Sequence, residues 1–345
     1  MIDNGGFLKM KKFLITFLGT IMLATISYGA GSKVGTTAAQ FLKIEIGARG
    51  LAMGGAFVAT ADDATATFWN PAGLAHVTSA EVSVHQVDWL ANMELKYGNV
   101  VIPAGDNKFG FFLAALDYGE WDVTTIDSPD GTGEKFGAQD LALGISYARS
   151  LTDRFSFGAT VKYITQRIWH MNASAIAFDI GTIFETQLRG LRIGMSFSNF
   201  GSKMTMLGKD AKVFHDVGPE IEGNNERINA FMETEEWDLP LSFRVGVAMD
   251  VINNSYSKLI LAVDTIAPND NLEYVNTGFE YSLKKLLFLR AGYKSLFLQD
   301  SETGLTLGTG IHYAINNKVK FKFDYAYADF GRLENIQYFS LGFEF

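Results

Sequence analysis

Residues 241–250 read LSFRVGVAMD, a strict alternation of large apolar residues with small or polar ones. A period of two over such a length is typical of a β-strand that has one apolar and one polar face. The same pattern recurs in 141–148 (LALGISYA), 191–198 (LRIGMSFS) and 319–328 (VKFKFDYAYA). The pattern predicts a chain built mainly of strands.

The second face of these strands favours a membrane protein. It is rich in Gly, Ser and Ala with scattered charges, whereas the apolar face carries large residues and ends in Tyr or Trp, as in a barrel surrounded by lipid. The chain of 345 residues is 48% hydrophobic and only 19% charged, against roughly 25% charged in soluble domains, with a mean hydropathy of +0.08. Past the N-terminus no apolar run approaches the ~20 residues of a spanning helix. These features predict an all-β transmembrane barrel, with a soluble all-β protein as the alternative.

About fourteen strands are predicted, an even number as expected for a closed bacterial barrel. Their predicted spans lie near 80–88, 95–102, 107–117, 139–149, 154–168, 174–186, 190–200, 240–251, 256–266, 272–284, 286–297, 304–314, 317–328 and 336–345. Alternate connections are all short (103–107, 150–153, 186–190, 253–255, 284–285 and 316–317), while several of the others, such as 119–138 and 201–239, are long. Short turns at one end and long loops at the other are the arrangement of outer-membrane barrels. The sequence therefore predicts a bacterial outer-membrane location, and the last strand, which ends in Phe345, resembles the assembly signal of such barrels.

The N-terminal part divides into two predicted segments. Residues 10–30 (MKKFLITFLGTIMLATISYGA) combine two lysines, a short apolar run and small residues, which predicts an export signal peptide over 1–30; a membrane anchor is the alternative. Residues 31–78 are predicted to form a plug, and 79–345 the barrel with a long external loop at 201–239.

The predicted plug centres on residues 44–75, IEIGARGLAMGGAFVATADDATATFWNPAGLA. This stretch is rich in Gly and Ala and shows neither strand alternation nor a long helical stripe. Glycine permits close backbone approaches that a Cβ would block, and Asn70-Pro71 is a turn signal. Such a segment cannot form a core alone, so we expect it to fill the inside of the barrel.

Residues 47–75 resemble the N-terminal signature of the PorV/PorQ-like outer-membrane proteins, and ADDATATFWNPAGLA within them is similar to the hatch of FadL-type transporters. The resemblance implies a FadL-like barrel of fourteen strands with an N-terminal plug. The plug motif it identifies consists of Arg49, Met53, Gly54, Gly55, Phe57, Asp62, Asp63, Asn70, Pro71, Ala72 and Gly73.

Two functions follow from the resemblance. The first is a PorV/PorQ-type protein that binds exported proteins or lipid-linked partners at the cell surface in type IX-like secretion. The alternative is a FadL-like transporter of long-chain fatty acids or other hydrophobic small molecules. The expected partners are accordingly outer-membrane lipid and either secreted proteins and secretion-machine components or apolar small molecules.

Several chemistries are not expected. The chain has no cysteine, which excludes disulfides and thiolate sites, and a net charge of -9 argues against nucleic acid as a partner. None of the five histidines lies in a metal-ligand spacing. The prediction is a protein that is not an enzyme, with no catalytic residue, no metal site and no cofactor.

The polar faces of the predicted strands place charges of both signs in the lumen. The main ones are Arg192, Arg244, Asp250, Asp264, Glu280, Arg290 and Lys294. Isolated charges in a narrow lumen are costly, so these residues either clamp the wall to the plug through ion pairs or line a polar permeation path. The apolar residues of the loop 201–239 either form a partner site or pack the loop onto the barrel rim.

Overall fold

The structure, a computed structural model, describes residues 34–188, 190–218, 220, 227–299 and 301–345. The predicted signal peptide, 1–30, lies outside these residues. Among the described residues no helix is both long enough and apolar enough to cross a membrane.

Fourteen long antiparallel strands of the described chain form one closed ring. They are β1 Glu81–Asp88, β2 Glu94–Ala104, β3 Asn107–Asp122, β4 Lys135–Thr152, β5 Phe155–Ile168, β6 Met171–Glu185, β7 Arg192–Gly201, β8 Ser242–Asn253, β9 Ser257–Pro268, β10 Tyr274–Leu283, β11 Leu287–Leu296, β12 Leu305–Ala314, β13 Lys320–Asp329 and β14 Asn335–Glu344. Each strand pairs with the next along the chain. The ring closes where β1 pairs with β14, from Glu81 opposite Glu344 to Asp88 opposite Gln337. The predicted fold class, an all-β antiparallel barrel of fourteen strands, is confirmed.

Strand alternation separates the two faces of the wall. In β8, Phe243 points outward and is exposed, whereas Ser242 and Gly246 face inward and are buried. The outer face of the other strands likewise carries exposed apolar residues, such as Ile145 in β4 and Leu261 in β9. Because apolar side chains on the outside suit lipid and not water, the wall has the polarity of a membrane barrel.

The connections separate by length, as the sequence predicts. One end of the barrel carries the tight turns, including residues 105–106 and 284–286, and is called here the short-turn end. The other, the long-loop end, carries residues 123–134 and 202–241. At that end β3 and β4 extend well past their predicted limits, because their hairpin continues beyond a register shift between Asp117 and Glu120.

The connection between β7 and β8 contains structure of its own. Its short strands are Met204–Thr205, Leu207–Gly208, Lys212–His215, Ile228–Phe231 and Glu236–Trp237, with a 3-10 helix at Lys209–Ala211. Lys212–His215 and Ile228–Phe231 pair as an antiparallel arm. The loop also reaches the start of the described chain, where Thr37 forms a parallel bridge with Asp238 and Ala38 N donates to Asp238 O at 2.9 Å.

Residues 34–80, called here the N-terminal segment, precede β1 and contain only short helices in the described chain. These are α1 Ala48–Ala52, α2 Ala66–Trp69 and the 3-10 helices Gln40–Lys43 and Pro71–His76; two further 3-10 turns, Leu90–Asn92 and Gly331–Leu333, lie in loops. The helix α1 contacts β11 to β14, and the Pro71 helix contacts β3 to β6 on another side of the ring. The largest side chains of the segment, including Trp69, Phe57 and Leu51, are fully buried. The apolar core of the protein therefore lies between this segment and the inner face of the wall.

Candidate functional site

Inward-facing glycines of the wall lie where the N-terminal segment approaches most closely. A Cβ at Gly158 in β5 would meet the backbone of Pro71, and one at Gly194 in β7 would lie 2.7 Å from the Cα of Ala59. Gly278 and Gly292, on β10 and β11, face the backbone of Met53 in the same way. At these positions any side chain would push the segment away from the wall.

Arg49 in α1 is the centre of a buried ion cluster. Its guanidinium donates to Asp62 at 2.5 Å, to Asp63 at 2.8 Å and, through two nitrogens, to Glu280 of β10 at 2.8 and 3.0 Å. Glu280 also accepts from Arg290 of β11 at 2.7 Å. Arg49 thus joins two parts of the N-terminal segment to the wall, and a bidentate guanidinium is suited to this because its donors are fixed in one plane.

The charges of this cluster shift the pKa values of Arg49 and Asp62, which lie outside the strands. Burial alone would lower the pKa of Arg49, but the surrounding charges of Asp62, Glu280 and Asp63 raise it well above its usual value. Burial would likewise raise the pKa of Asp62, yet the charge and hydrogen bond of Arg49 leave it lowered. Both groups therefore stay charged at neutral pH.

Asn70 holds the second half of the plug motif in place through three hydrogen bonds of its side chain to the backbone. Its side chain accepts from Ala72 N at 3.1 Å, which caps the Pro71 helix, and donates to Val58 O at 2.8 Å and to Thr182 O of β6 at 3.2 Å. Nearby, Asp264 of β9 accepts from the backbone N–H groups of Phe57 and Val58 at 2.8 and 2.9 Å. One amide and one carboxylate therefore hold the otherwise irregular backbone of the segment.

The remaining motif residues are buried and act through backbone shape or packing. Gly54 and Gly55 have positive φ angles of 67° and 74°, which only glycine adopts without strain. Phe57 lies edge-on to Trp69, with ring centroids 5.6 Å apart. Met53, Ala72 and Gly73 are enclosed by the segment and the wall.

In the described chain, five of the seven predicted lumen charges form ion pairs, and Asp264 and Arg244 do not. Arg192 pairs with Asp250 at 3.1 Å and Lys294 with Glu45 at 2.8 Å, while Arg290 joins Glu280. Asp264 binds backbone, as described above. Arg244 differs, since its described contact is the ring of Trp69, whose centroid lies 5.4 Å from the guanidinium carbon.

Two anchoring acids were missed by the sequence argument. Asp270, in the short connection between β9 and β10, accepts from Thr37 and Gln40 at 2.8 Å and from Lys43 at 3.0 Å. Glu45, the partner of Lys294, lies in the N-terminal segment. Asp270 belongs to no alternating pattern or quoted stretch. Glu45 lies in the stretch 44–75 that is expected inside the barrel, but no sequence signal identifies it as an ion-pair partner of the wall.

A cavity of about 450 Å³ lies between the N-terminal segment and the wall, toward the long-loop end. One side is apolar and aromatic, with Phe41, Trp69, Tyr97 and Phe112 among its lining residues. Charged side chains, including Lys162 and Arg244, also line the cavity. A concave, mainly apolar site with a few polar groups is the usual form of a small-molecule site.

The histidines do not form a metal site in the described chain, which contains no group of three or more potential ligands. His85 is buried in β1 between Ser83 at 2.9 Å and Ser340 at 2.7 Å. His312 faces Asp324 at 3.3 Å. Both serve as polar links between strands, and neither lines the cavity.

The β7–β8 loop presents apolar side chains to solvent at the long-loop end. Phe214 and Phe231, on the paired arm, are 64% and 67% exposed, and Met232 follows at 55%. Met204, in contrast, is buried against the barrel. The loop is thus packed onto the rim at its base, while its arm keeps an uncovered apolar surface.

Three solved structures share this architecture. The CymD monoaromatic hydrocarbon channel superposes with a TM-score of 0.55 at 13% identity, over 87% of this chain and 97% of that one. The Ralstonia pickettii toluene transporter TbuX gives 0.52 at 13% identity (86% and 97%), and a Pseudomonas aeruginosa FadL homologue 0.50 at 15% identity (92% and 99%). The closed ring of strands and these neighbours define the fold: a fourteen-stranded β-barrel of the FadL type.

A family profile identifies the branch. The profile described as "Type IX secretion system protein PorV" matches residues 28–268. The chain belongs to the PorV family. Comparison with curated proteins finds no match.

Family and fold together place the chain in the bacterial outer membrane, as a barrel of type IX secretion. In that membrane the short turns face the periplasm and the long loops face the exterior. The family and the structural neighbours named above are secretion and transport proteins.

Proposed function

We propose that this barrel binds exported proteins, or lipid-linked partners, at its long-loop end while the N-terminal segment closes the lumen. The observation that carries the proposal is the exposed apolar arm of the β7–β8 loop, which stands outside a barrel whose interior is occupied. Membership of a secretion family supports an exported protein as the partner, because a protein surface is large enough to cover such an arm.

The closing of the lumen is supported by contacts on several sides of the ring. The N-terminal segment touches the wall at backbone distance along Gly158, Gly194, Gly278 and Gly292, and Arg49 ties it to β10. We assign residues 31–78 as the plug, 79–345 as the barrel, and the plug-motif residues as the groups that hold the plug in place. An exported protein then stays on the outer surface and does not pass through this lumen.

The docking role of the arm is tested by removing its apolar character. The double variant Phe214→Ser, Phe231→Ser is expected to lower the amount of exported protein that reaches the cell surface, measured by mass spectrometry in cells that carry the secretion system. The matched control is Ile126→Ser, which changes a fully exposed apolar residue on a different long loop. Normal export by the double variant, with the barrel folded, would contradict the proposal.

A second candidate function is passage of apolar small molecules. It is favoured by the aromatic-lined cavity of about 450 Å³, a volume within the usual range for ligand sites. A monoaromatic hydrocarbon channel and a toluene transporter share the fold. Uptake of a radiolabelled aromatic hydrocarbon into liposomes containing the barrel tests this function, and uptake equal to that of protein-free liposomes would exclude it.

A further inference from the structure

We infer that one sector of the short-turn end binds the head groups of anionic phospholipids in the membrane leaflet that surrounds it. The sector, called here the basic edge, comprises residues 251–258, 281–289 and 311–320. These residues form the turns β8–β9, β10–β11 and β12–β13 with the strand ends beside them. The inference goes beyond both proposed functions, because they assign no role to this end of the barrel.

The charges of the basic edge are all of one sign. Its three segments contain five lysines and no Asp or Glu. The lysines are Lys258, Lys284, Lys285, Lys318 and Lys320. The long-loop end is the reverse, since residues 117–134 carry six acids and neither Lys nor Arg. A chain with a net charge of -9 thus concentrates cations at one place on its short-turn end, where they attract anions.

Most of these cations are not neutralised by the protein. Lys258 pairs with Asp250 at 3.1 Å, and Lys320 pairs with Glu344 at 2.7 Å. The other three are exposed and form no ion pair within the described chain: Lys284, Lys285 and Lys318. Their charges are therefore available to a partner outside the protein.

The turn β10–β11 has a backbone that does not favour lysine. Lys284 and Lys285 are its two central residues, because Leu286 N donates to Leu283 O at 3.0 Å. Their φ angles are 52° and 54°. A hairpin turn with two positive φ angles is usually formed by Asn-Gly, since most side chains are disfavoured in that conformation. Two lysines at such positions point to a function for their charge.

Lipid-facing residues adjoin these lysines. Leu283 and Leu287, which are paired on either side of the turn, lie on the outer face and are 41% and 44% exposed. Tyr256 is exposed on the neighbouring turn, and Lys284 N donates to its carbonyl oxygen at 2.6 Å. Ile315 is exposed on the next turn. Because exposed leucines of the wall face hydrocarbon, the adjacent cations lie at the level of the lipid phosphates.

A phospholipid satisfies both parts of this surface at once. Its acyl chains cover the exposed leucines, and its anionic head group lies on the lysines beside them. An acidic protein segment in the periplasm would reach the lysines but would leave the leucines to the membrane. The geometry therefore favours an anionic lipid over an acidic protein as the partner.

The absence of cysteine from the chain allows a single reporter to be placed at the basic edge. Asn317→Cys, at an exposed turn position, is labelled with a dansyl donor in the full-length barrel in phosphatidylcholine vesicles. Energy transfer is measured to acyl-labelled phosphatidylglycerol and, separately, to acyl-labelled phosphatidylethanolamine. We expect more transfer to phosphatidylglycerol at low salt and a smaller preference at high salt, because exposed charges are screened. The matched reporter Thr124→Cys, exposed at the long-loop end, should show no enrichment of phosphatidylglycerol.

A charge variant that keeps the turn tests the role of the lysines. Lys284→Asn with Lys285→Gly removes two charges and supplies the residues that the backbone favours, so the barrel should fold as the parent does. Each lysine near an anionic membrane surface contributes roughly five-fold to binding, so the enrichment of phosphatidylglycerol should fall by about five-fold or more. Lys135→Asn with Lys203→Asn removes two exposed lysines at the long-loop end and should leave the enrichment unchanged.

The outcomes decide between a lipid and a protein partner. Equal transfer to the two lipids in the parent, or an enrichment that persists in the variant without Lys284 and Lys285, overturns the inference. Equal transfer together with salt-sensitive binding of a polyglutamate peptide to the basic edge would assign the lysines to an acidic protein segment, and would overturn it as well. Neither result affects the proposed role of the β7–β8 arm, which the export measurement tests.

Discussion

The two ends of the lumen are built differently although one wall encloses both. Toward the short turns, inward positions such as Gly158 and Gly194 bring the wall against the backbone of the N-terminal segment. Toward the long loops, the corresponding positions carry Tyr97, Lys162 and Arg244, and a cavity of about 450 Å³ remains. The difference shows that the choice of inward residue decides where this barrel is filled and where it keeps room for a ligand.

The largest expected effect comes from breaking the filled end at Arg49. Arg49→Met removes the shared partner of Asp62, Asp63 and Glu280. Glu280 keeps Arg290, but the half-buried Asp62 and Asp63 lose their ion-pair partner, and removing one member of a buried pair costs up to about 3–5 kcal/mol. We expect faster hydrogen exchange in residues 57–73 and a lower midpoint of thermal unfolding. Arg332→Met, which disrupts an exposed pair with Glu302, is the control and should change neither quantity.

A smaller loss of stability is expected from removing the hydrogen bonds of Asn70 to the backbone of Val58 and Thr182. The variant Asn70→Ala, Pro71→Ala leaves Val58 O and Thr182 O without their donor, at a cost of about 1–3 kcal/mol for each unsatisfied buried group. The segment should loosen and small-solute conductance in planar bilayers should rise. Conductance equal to that of the parent, with the barrel folded, would count against the filled end as a seal.

Two glycine-to-alanine variants, one on the inner and one on the outer face of the wall, test how closely the N-terminal segment approaches the filled end. Gly158→Ala places a methyl group against the backbone of Pro71 and Ala72 and should destabilise the protein by about 1–3 kcal/mol, as overpacking does. Gly98→Ala adds the same group on the outer face of β2, where nothing lies within 4 Å, and should be neutral. Equal unfolding midpoints for the two variants would contradict the account of the wall glycines.

The smallest effect concerns pH at the long-loop end. Burial would raise the pKa of Asp270, but hydrogen bonds from Gln40, Lys43 and Thr37 and the charge of Lys43 lower it below 3.8. A carboxyl whose pKa is lowered in the folded state contributes stability above its unfolded pKa and loses it as pH falls through the folded value. The protection of residues 37–43 against hydrogen exchange, corrected for the intrinsic exchange rate at each pH, should therefore stay constant above about pH 5 and fall as the pH drops below about 4.

The control for this pH effect is Asp270→Asn. This variant lacks the titrating group, so the protection of residues 37–43 should already be low at about pH 6 and should fall less on acidification. A parent and a variant with the same pH profile would show that another group controls the region.

The strands could be predicted from the sequence because alternation is a local property. In 241–250 each apolar residue faces lipid and each small or polar one faces the lumen, so ten residues decide both the element and its orientation. The lengths of β3 and β4 were underestimated, since the alternation of buried and exposed residues is lost in 118–122 and 135–138, which are exposed or half-buried.

The site was less predictable because its contacts join distant parts of the chain. The plug motif names Arg49 and Asp62, but that Glu280 would be the wall partner depends on the register of the whole ring. Asp270 and Glu45 carry no local pattern at all. Arg244 was predicted to face the lumen, and its contact with the Trp69 ring depends on where the N-terminal segment meets the wall.

The bridge between Thr37 and Asp238 has a mechanical consequence. The β7–β8 loop holds the N-terminal segment by its first described residues, far along the chain from Arg49 and Asn70. A partner that pulls the loop therefore applies force to one end of the N-terminal segment. The contacts between the segment and the wall would then break one after another, by peeling. Breaking contacts one at a time requires less force than shearing all of them together, and the first contacts to bear a load on this loop are those of Asp270 with Thr37, Gln40 and Lys43.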